Sequence, residues 1–346
     1  MLKVSIIIPV YNAAKYIRRC INSVIDQENA GCDLECVIVN DFSSDNSVAI
    51  IRETVADYKG KIEFVVCDHD YNKGVSAARN TGMRKATGDY FFFIDSDDYI
   101  YNDCLKKMVN FLSFYPDVDV ILGGVFSRKY NRPFFPPVSK PILMTDNSKV
   151  LLKVFFAELH FHAWNRLIRR DLLFDNNLFF ADGYIYEDMP WTYKLYTVMS
   201  SMLILPDYTY IYENNEDSIM NTTNRKANDV VYSSCYVINY ILDNKLYDIR
   251  SDCRIYCFGI LLRTCEIIFK FPCTKDNKSN ISKVRRRLVI EAIFSGRPFM
   301  SLFFLTSYKP FVYLYRLSFV RHNYHKVTVV FSKVERWLDR ISCKAG

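Results

Sequence analysis

The chain has 346 residues, half of them hydrophobic and 16% aromatic, including 25 Tyr and 26 Phe. That is ample apolar material for one large domain or a domain with a substantial extension, and it excludes a mainly disordered chain. The net charge of +7 is uneven: residues 281–346 hold 13 Lys and Arg against 3 Asp and Glu, which speaks against a nucleic-acid-binding core and sets a separately charged surface at one end.

Residues 4–10 form a short apolar run stopped by Tyr11-Asn12, the pattern of a buried strand and a turn. Tyr16, Ile17, Cys20, Ile21, Val24 and Ile25 recur at helical spacing and leave Arg18, Arg19, Asn22 and Asp26 outside. Residues 36–39 predict a second strand ending in Asn40-Asp41-Phe42-Ser43-Ser44-Asp45, whose small polar side chains can cap a helix carrying Val48, Ile51, Val55 and Tyr58 inward. A third strand at 62–67 and a polar loop at 68–74 precede a helix from Val75 to about Thr87, with Gly88 expected to close it as a C′ residue. Residues 90–94, aromatic or β-branched throughout, predict a strand buried on both faces that runs into Asp95-Ser96-Asp97-Asp98.

Strand and helix thus alternate four times in about 95 residues, the rhythm of a doubly wound, mostly parallel, Rossmann-like α/β sheet. Right-handed crossovers place the strand ends on one edge, so Asn12, Asp41 and Asp95 to Asp98 are expected to line one crevice. Carboxylates so close repel unless a cation sits between them. A hard divalent ion suits them; the other reading is a solvated acidic turn that caps the next helix.

Further on, 102–115 predicts a helix and 118–125 a strand. Residues 126–147 hold four prolines and no period, and read as a loop over the sheet, a substrate lid. Residues 148–159 read as a helix, and 160–168 alternate like a strand that gives His160 and His162 a structural role. An aromatic loop at 179–188 leads to a helix with Pro190 in its first turn and Glu187 and Asp188 at its N-terminus. Residues 226–271 read as two long helices, 272–280 as a polar linker, and 281–295 as a helix bearing Arg285, Arg286 and Arg287. Residues 298–315 are strongly apolar, but Lys309 and Pro310 interrupt them. They read as an interfacial segment suited to anionic lipid, or else as a helical cap with a solvated basic face. Most of the eleven cysteines, such as Cys20, Cys67 and Cys257, lie in apolar periodic segments and read as reduced core residues. Lys3 leads straight into a strand with no long apolar stretch before it, so no secretory signal and a cytoplasmic location are expected.

Six pieces carry a resemblance: Val4-Ser-Ile-Ile-Ile-Pro-Val-Tyr-Asn12, Val39-Asn-Asp-Phe-Ser-Ser-Asp45, Asn72-Lys-Gly-Val-Ser-Ala-Ala-Arg-Asn80, Asp95-Ser-Asp-Asp98, Trp164-Asn-Arg-Leu167 and Tyr186-Glu-Asp-Met189. In their order and spacing, over roughly residues 3 to 220, the sequence resembles the family 2 glycosyltransferases with the GT-A fold, of the kind that build bacterial capsule, O-antigen and exopolysaccharide. The resemblance implies a catalytic domain at 1–224, with a nucleotide-binding half at 1–98 and an acceptor half at 99–224, followed by a helical basic extension at 225–346. It implies an inverting transfer of a sugar from a nucleotide-diphosphate donor, expected to be UDP-linked, to a lipid-linked or oligosaccharide acceptor at the inner membrane face.

Mn²⁺ or Mg²⁺ held by Asp97, with Asp95 near the ribose or the metal, would neutralise the charge that builds on the departing diphosphate. By the same resemblance Asp41 looks like the base-recognising carboxylate, Pro9, Tyr11 and Asn12 form the pocket wall, and Ser96 joins the donor set. Arg79 reads as a contact to donor or as a helix-surface arginine, Trp164 as an acceptor wall or as core, and Glu187 as acceptor-binding. Asp188 is the expected general base, taking the acceptor proton as the hydroxyl attacks the anomeric carbon. Three departures stand out: Phe42 where the family often has Gly, Asn40 where it often has Asp, and Arg166 where it often has Lys. A left-handed backbone at Phe42 would be awkward, so a different local loop is expected there. Rival readings are nucleotidyl transfer, against which the lack of a basic Gly-rich loop after the first strand speaks, and a catalytically silent nucleotide-sugar-binding subunit of a membrane synthase.

Overall fold

The computed structural model describes residues 2–147, 149–150, 160–183, 186–213, 223–244 and 275–294. Two compact units divide the chain, the first holding the described residues up to Val150 and from His160 to Glu213.

The first unit begins with β1 (Lys3–Val10), α1 (Ile17–Ile25), β2 (Asp33–Asn40), α2 (Ser47–Asp57), β3 (Glu63–Asp68), α3 (Val75–Lys85) and β4 (Tyr90–Phe93). It continues through β5 (Tyr99–Ile100), α4 (Cys104–Leu112), β6 (Val120–Ser127), β7 (Arg132–Phe135), β8 (Ile142–Met144), β9 (Arg166–Arg169), α5 (Arg170–Asp175), α6 (Asp188–Val198) and β10 (Met202–Tyr212). The strands form one sheet in the order β3-β2-β1-β4-β9-β6-β10-β5, with β7 added on β6 and β8 on β10. β3, β2, β1 and β4 are mutually parallel, as the alternation of strand and helix requires.

The core follows from the apolar runs. Ile6, Ile7 and Ile8 in β1 and Phe91, Phe92 and Phe93 in β4 are fully buried, because helices cover both faces of the parallel half. α1 buries Ile17, Cys20, Ile21 and Val24 on one face and leaves Arg18 and Asn22 outside. On α3, Gly82 allows close approach to the sheet, since a Cβ there would fall 2.4 Å from Ile7 Cγ2.

Several sequence expectations change. α3 ends at Lys85 with Ala86 already extended, so Gly88 is not a left-handed helix closure. Its small size serves the start of β4, where a Cβ would lie 2.8 Å from the Ser5 backbone nitrogen. The stretch at 126–147, expected to be a loop, contains β7 and β8, short strands paired to β6 and β10; Pro133 sits within the peripheral β7, where a missing N–H is tolerated. The strand expected over 160–168 is confined to Arg166–Arg169, because Asn165 has φ 60 and breaks the extended run.

In the second unit, α7 (Thr223–Asp243) and α8 (Lys275–Phe294) pack through Val231, Ile238, Val284 and Leu288. Arg287 joins them, its Nη2 lying 2.6 Å from Asp243 Oδ1 and its Nη1 donating to Asn239 Oδ1 at 2.6 Å. The helix expected from 281 starts at Lys275, inside the segment read as a linker. Most of the helix expected at 148–159, Cys257 and the apolar segment 298–315 lie outside the described residues. Among the described residues no helix is long and apolar enough to cross a membrane.

Candidate functional site

The carboxyl ends of β1, β2 and β4 meet at one edge, with the loops after β1 and β2 tied together. Asn12, at φ 49, donates its backbone N–H to Ser43 Oγ (3.0 Å) and accepts at Oδ1 from Ser44 N (2.8 Å), while Ala14 N donates to Asp45 Oδ2 (2.9 Å). Pro9 is buried in β1 beyond the part paired with β4, which ends with Phe93 opposite Ile7, so its missing N–H costs no bond on that side. Tyr11 projects outward, 46% exposed.

Asp41 faces inward. Its Oδ1 accepts from Lys73 N (2.8 Å) and lies 2.7 Å from His69 Nδ1, and its Oδ2 accepts from Gly74 N (2.7 Å). The carboxylate thereby shapes the loop that leads into α3, and a base bound at this edge would meet an acceptor with three partners already. His69, unnoticed in the sequence, directly follows the end of β3 on this edge; its other nitrogen lies 3.0 Å from Thr81 Oγ1.

The acidic turn after β4 is tethered from several sides. Asp98 N donates to Asp95 O (3.0 Å), Asp95 N to the Tyr210 hydroxyl (3.2 Å), and Arg19 Nη2 to Asp97 O (3.1 Å). Asp98 does not face the crevice as expected. It is buried, its Oδ2 accepting from the Tyr210 hydroxyl (2.7 Å) and its Oδ1 from Glu213 N (2.7 Å), and burial pushes its carboxyl well above the ordinary range, with Asp97 and Asp95 adding to the shift. Asp95, Ser96 and Asp97 remain half-buried at the edge. Among the described residues no group of three or more His, Cys, Asp or Glu side chains is placed to hold a metal ion. Two carboxylates on one turn are nevertheless hard oxygen donors of the kind that bind Mg²⁺ or Mn²⁺ when substrate phosphates complete the coordination, so the turn fits part of the expected set.

The sequence gives no hint of how these parts are joined to the loop at 186–188. Arg79 of α3, 2% exposed, donates from Nη2 to Asp95 Oδ1 (2.8 Å) and from Nη1 to Glu187 Oε1 (2.5 Å) and Asp188 Oδ1 (3.1 Å). Burial disfavours its charge, but Asp188, Asp95 and Glu187 together outweigh that and raise its pKa. Arg79 is therefore no helix-surface residue, and its terminal nitrogens are engaged by protein carboxylates.

The two neighbouring carboxyls diverge. Glu187 is pushed up to about 7, by burial first and by Asp188 second, against the pull of Arg79. Asp188 is held below the ordinary range: burial pushes it up, but Arg79 and then His162, whose Nδ1 is 3.8 Å from Asp188 Oδ2, prevail. Glu187 makes no side-chain cap bond to α6, and Asp188 lies in its first turn. Tyr186 before them has φ 69, a left-handed backbone rare for a bulky residue.

The two residues expected at the acceptor are both buried. Glu187 is buried against Arg79 and offers no face to an acceptor. Trp164 is buried too, stacked on Tyr210 (4.5 Å between centroids, 10°) and His162 (4.7 Å, 6°), which is the core placement of the two that the sequence offered. Arg166 is likewise internal, its Nε and Nη2 donating to the Tyr196 hydroxyl at 3.1 and 2.9 Å. The expected loop change at Phe42 is absent in one respect: Phe42 takes φ 62, the left-handed conformation that a glycine would adopt without strain.

A mostly parallel sheet whose carboxyl edge gathers Asp95, Asp97 and, through Arg79, Asp188 defines a mixed α/β protein with a ligand site at the strand ends. The family model for glycosyl transferase family 2 matches residues 5–175. The chain is 28% identical over 231 residues to the uncharacterized glycosyltransferase EpsJ of Bacillus subtilis, covering 65% of each chain. It is 29% identical over 216 residues to the poly(ribitol-phosphate) β-N-acetylglucosaminyltransferase TarS of Staphylococcus aureus, covering 61% of this chain and 35% of TarS. The aligned parts thus span under two thirds of EpsJ and about a third of TarS. Among solved structures, S. aureus TarS 1-349 in complex with UDP-GlcNAc matches with a TM-score of 0.59 at 21% identity, over 87% of this chain and 89% of that one. The mannosyltransferase PcManGT from Pyrobaculum calidifontis, in complex with GDP-Man and Mn²⁺, matches with a TM-score of 0.51 at 15% identity, over 91% and 87%. The fold is that of the GT-A glycosyltransferases, and residues 5–175 match the glycosyl transferase family 2 domain.

Proposed function

We propose that the protein is an inverting glycosyltransferase that moves a sugar from a nucleotide-diphosphate donor to an acceptor hydroxyl of a cell-surface polymer or its lipid-linked precursor. The observation that carries this reading is the Arg79 bridge, which holds the turn bearing Asp95 and Asp97 on one side and Asp188 on the other. A donor diphosphate at that turn and an acceptor at Asp188 would lie on either side of a fixed guanidinium.

Asp188, kept ionised by Arg79, has the protonation state a general base needs. It accepts the hydroxyl proton as the oxygen attacks the anomeric carbon from the side opposite the diphosphate. Arg79 holds Asp188 in place and prevents the two neighbouring carboxyls from repelling one another apart. Glu187, buried and raised to about 7, serves as a further partner that fixes Arg79. Asp97, with Asp95, would hold Mn²⁺ or Mg²⁺, which when bound supplies charge neutralisation for the departing nucleoside diphosphate. Tyr11 and Ser96 would border the donor.

TarS is named for poly(ribitol-phosphate) as acceptor and its structure contains UDP-GlcNAc; these support a UDP-sugar and a cell-wall or surface polymer as the first donor and acceptor class to try. The excess of Lys and Arg in residues 281–346 supports peripheral contact with the inner membrane face. Purified protein with Mn²⁺, a panel of UDP- and GDP-sugars and a phosphopolyol acceptor should release nucleoside diphosphate from one donor. Release of pyrophosphate instead would point to nucleotidyl transfer and overturn the reading.

A further inference from the structure

Phe42 combines two features that ordinarily exclude each other: a left-handed backbone, φ 62, and a large apolar side chain left 54% exposed. The backbone conformation is disfavoured for any residue with a Cβ, and an exposed ring recovers little of that by burial. Among the described residues, positive φ outside glycine falls on four Asn, which tolerate it, and on Phe42 and Tyr186. Each of these two aromatics adjoins a site carboxylate, Asp41 or Glu187. Strain kept at such positions is a pointer to function.

Phe42 also has company. Tyr11 follows β1 and is 46% exposed; Tyr71 follows β3 and is 63% exposed. β1, β2 and β3 are adjacent in the sheet, with Val10 paired to Asn40 and Asn40 to Asp68. Tyr11, Phe42 and Tyr71 therefore come one, two and three residues past the paired ends of successive strands, a row of exposed rings along the ligand-binding edge. The polar groups nearest the Asp41 carboxylate are engaged within the protein. Asp41 has its three partners, Asn12 Oδ1 accepts from Ser44 N, and Asn40 donates from Nδ2 to Asp68 Oδ1 at 2.8 Å and accepts from Ser43 N at 3.0 Å. Such an edge offers flat apolar faces to a ring beside a carboxylate whose oxygens are already engaged.

Resting on the reading of the site as a nucleotide-sugar site, we propose that Phe42 is the stacking platform for the donor nucleobase, flanked by Tyr11 and Tyr71, so that the base is held mainly by its faces. A glycine at this position would relieve the backbone but leave no ring to stack on. Base–aromatic stacking corresponds to roughly 5- to 160-fold in affinity per base.

The test is calorimetric titration of the full chain and its F42G, F42L and F42W variants with UDP and GDP in the presence of Mn²⁺, alongside thermal melting. F42G and F42L should weaken the tighter-binding nucleotide at least about fivefold, within the range set by stacking, while F42W keeps wild-type affinity. F42G should melt at or above the wild-type temperature, because the strain is gone. Wild-type affinity in F42G, or in F42L, which keeps apolar bulk without a flat face, would overturn the platform alone. A wild-type chain that binds neither nucleotide would overturn the nucleotide-sugar reading and the platform with it.

Discussion

Arg79 and Asp188 are 109 positions apart in the chain, yet Nη1 of the one lies 3.1 Å from Oδ1 of the other inside the protein. The same guanidinium donates to Asp95, so one buried cation holds together the donor-side turn and the expected base. A planar fork can serve these carboxylates at once; an ammonium is a single point charge. R79K is therefore expected to lower kcat by about ten- to a hundredfold, as the loss of one or two charge-assisted hydrogen bonds at the site implies. Its acidic limb of activity should move to higher pH, because burial still raises the Asp188 pKa while the opposing charge is less well placed. A pH–rate profile of R79K that superimposes on wild type contradicts this.

Glu187 makes stability depend on pH. Its folded pKa, about 7, lies above the ordinary glutamate value of 4.5, so its contribution is fully present below about 4.5 and is lost as pH rises through 7. The loss amounts to about 3 kcal/mol at most at 1.36 kcal/mol per unit. E187Q removes the titrating proton while keeping the shape, and the wild-type minus E187Q difference in melting temperature should fall between pH 5 and pH 8. A difference that stays flat across that range shows that Glu187 does not titrate there.

Tyr210 supports the acidic turn through its hydroxyl, which accepts from Asp95 N and donates to buried Asp98. Y210F keeps the ring against Trp164 and removes only that oxygen. Leaving the Asp98 carboxyl with one partner fewer should destabilise the fold by about 1–3 kcal/mol. The loosened turn should also raise the donor KM several-fold, with kcat at saturating donor much less affected. An unchanged KM in a folded Y210F means the hydroxyl supports stability alone.

The basic extension gives a separate expectation. The full chain should sediment with vesicles rich in anionic lipid at low salt and be released by about 0.5 M salt, where the screening length falls to a few ångströms. Failure to bind anionic vesicles at low salt removes the membrane-contact reading.

The parallel half of the sheet was legible because its strands are continuous apolar runs and its helices keep a clean period: Ile6 to Ile8, and Ile17 to Val24, state their burial directly. β7 and β8 were not, since strands of three or four residues carry too few positions to show a period and both lie off the main order of the sheet; β9 was expected, but over 160–168 instead of Arg166–Arg169. The positions of Asp95, Asp97 and Asp188 could be picked out by motif. Their environments could not, because orientation comes from residues remote in sequence. Asp98 turns inward on account of Tyr210, Glu187 is buried by Arg79, and Trp164 is covered by Tyr210 and His162. A run of acidic letters does not say which of its members faces solvent.

The central claim is that Asp188 takes the acceptor proton. D188N keeps the size of the side chain and its ability to accept from Arg79, but removes the basic carboxylate. With the donor and acceptor that support wild-type nucleoside diphosphate release, D188N is expected to lose about 10²–10⁴ in kcat, the range for general-base catalysis. Its affinity for the nucleotide should stay within about twofold of wild type, since Asp188 meets the donor-side turn only through Arg79. Turnover by D188N at the wild-type rate would contradict the account and move the base elsewhere.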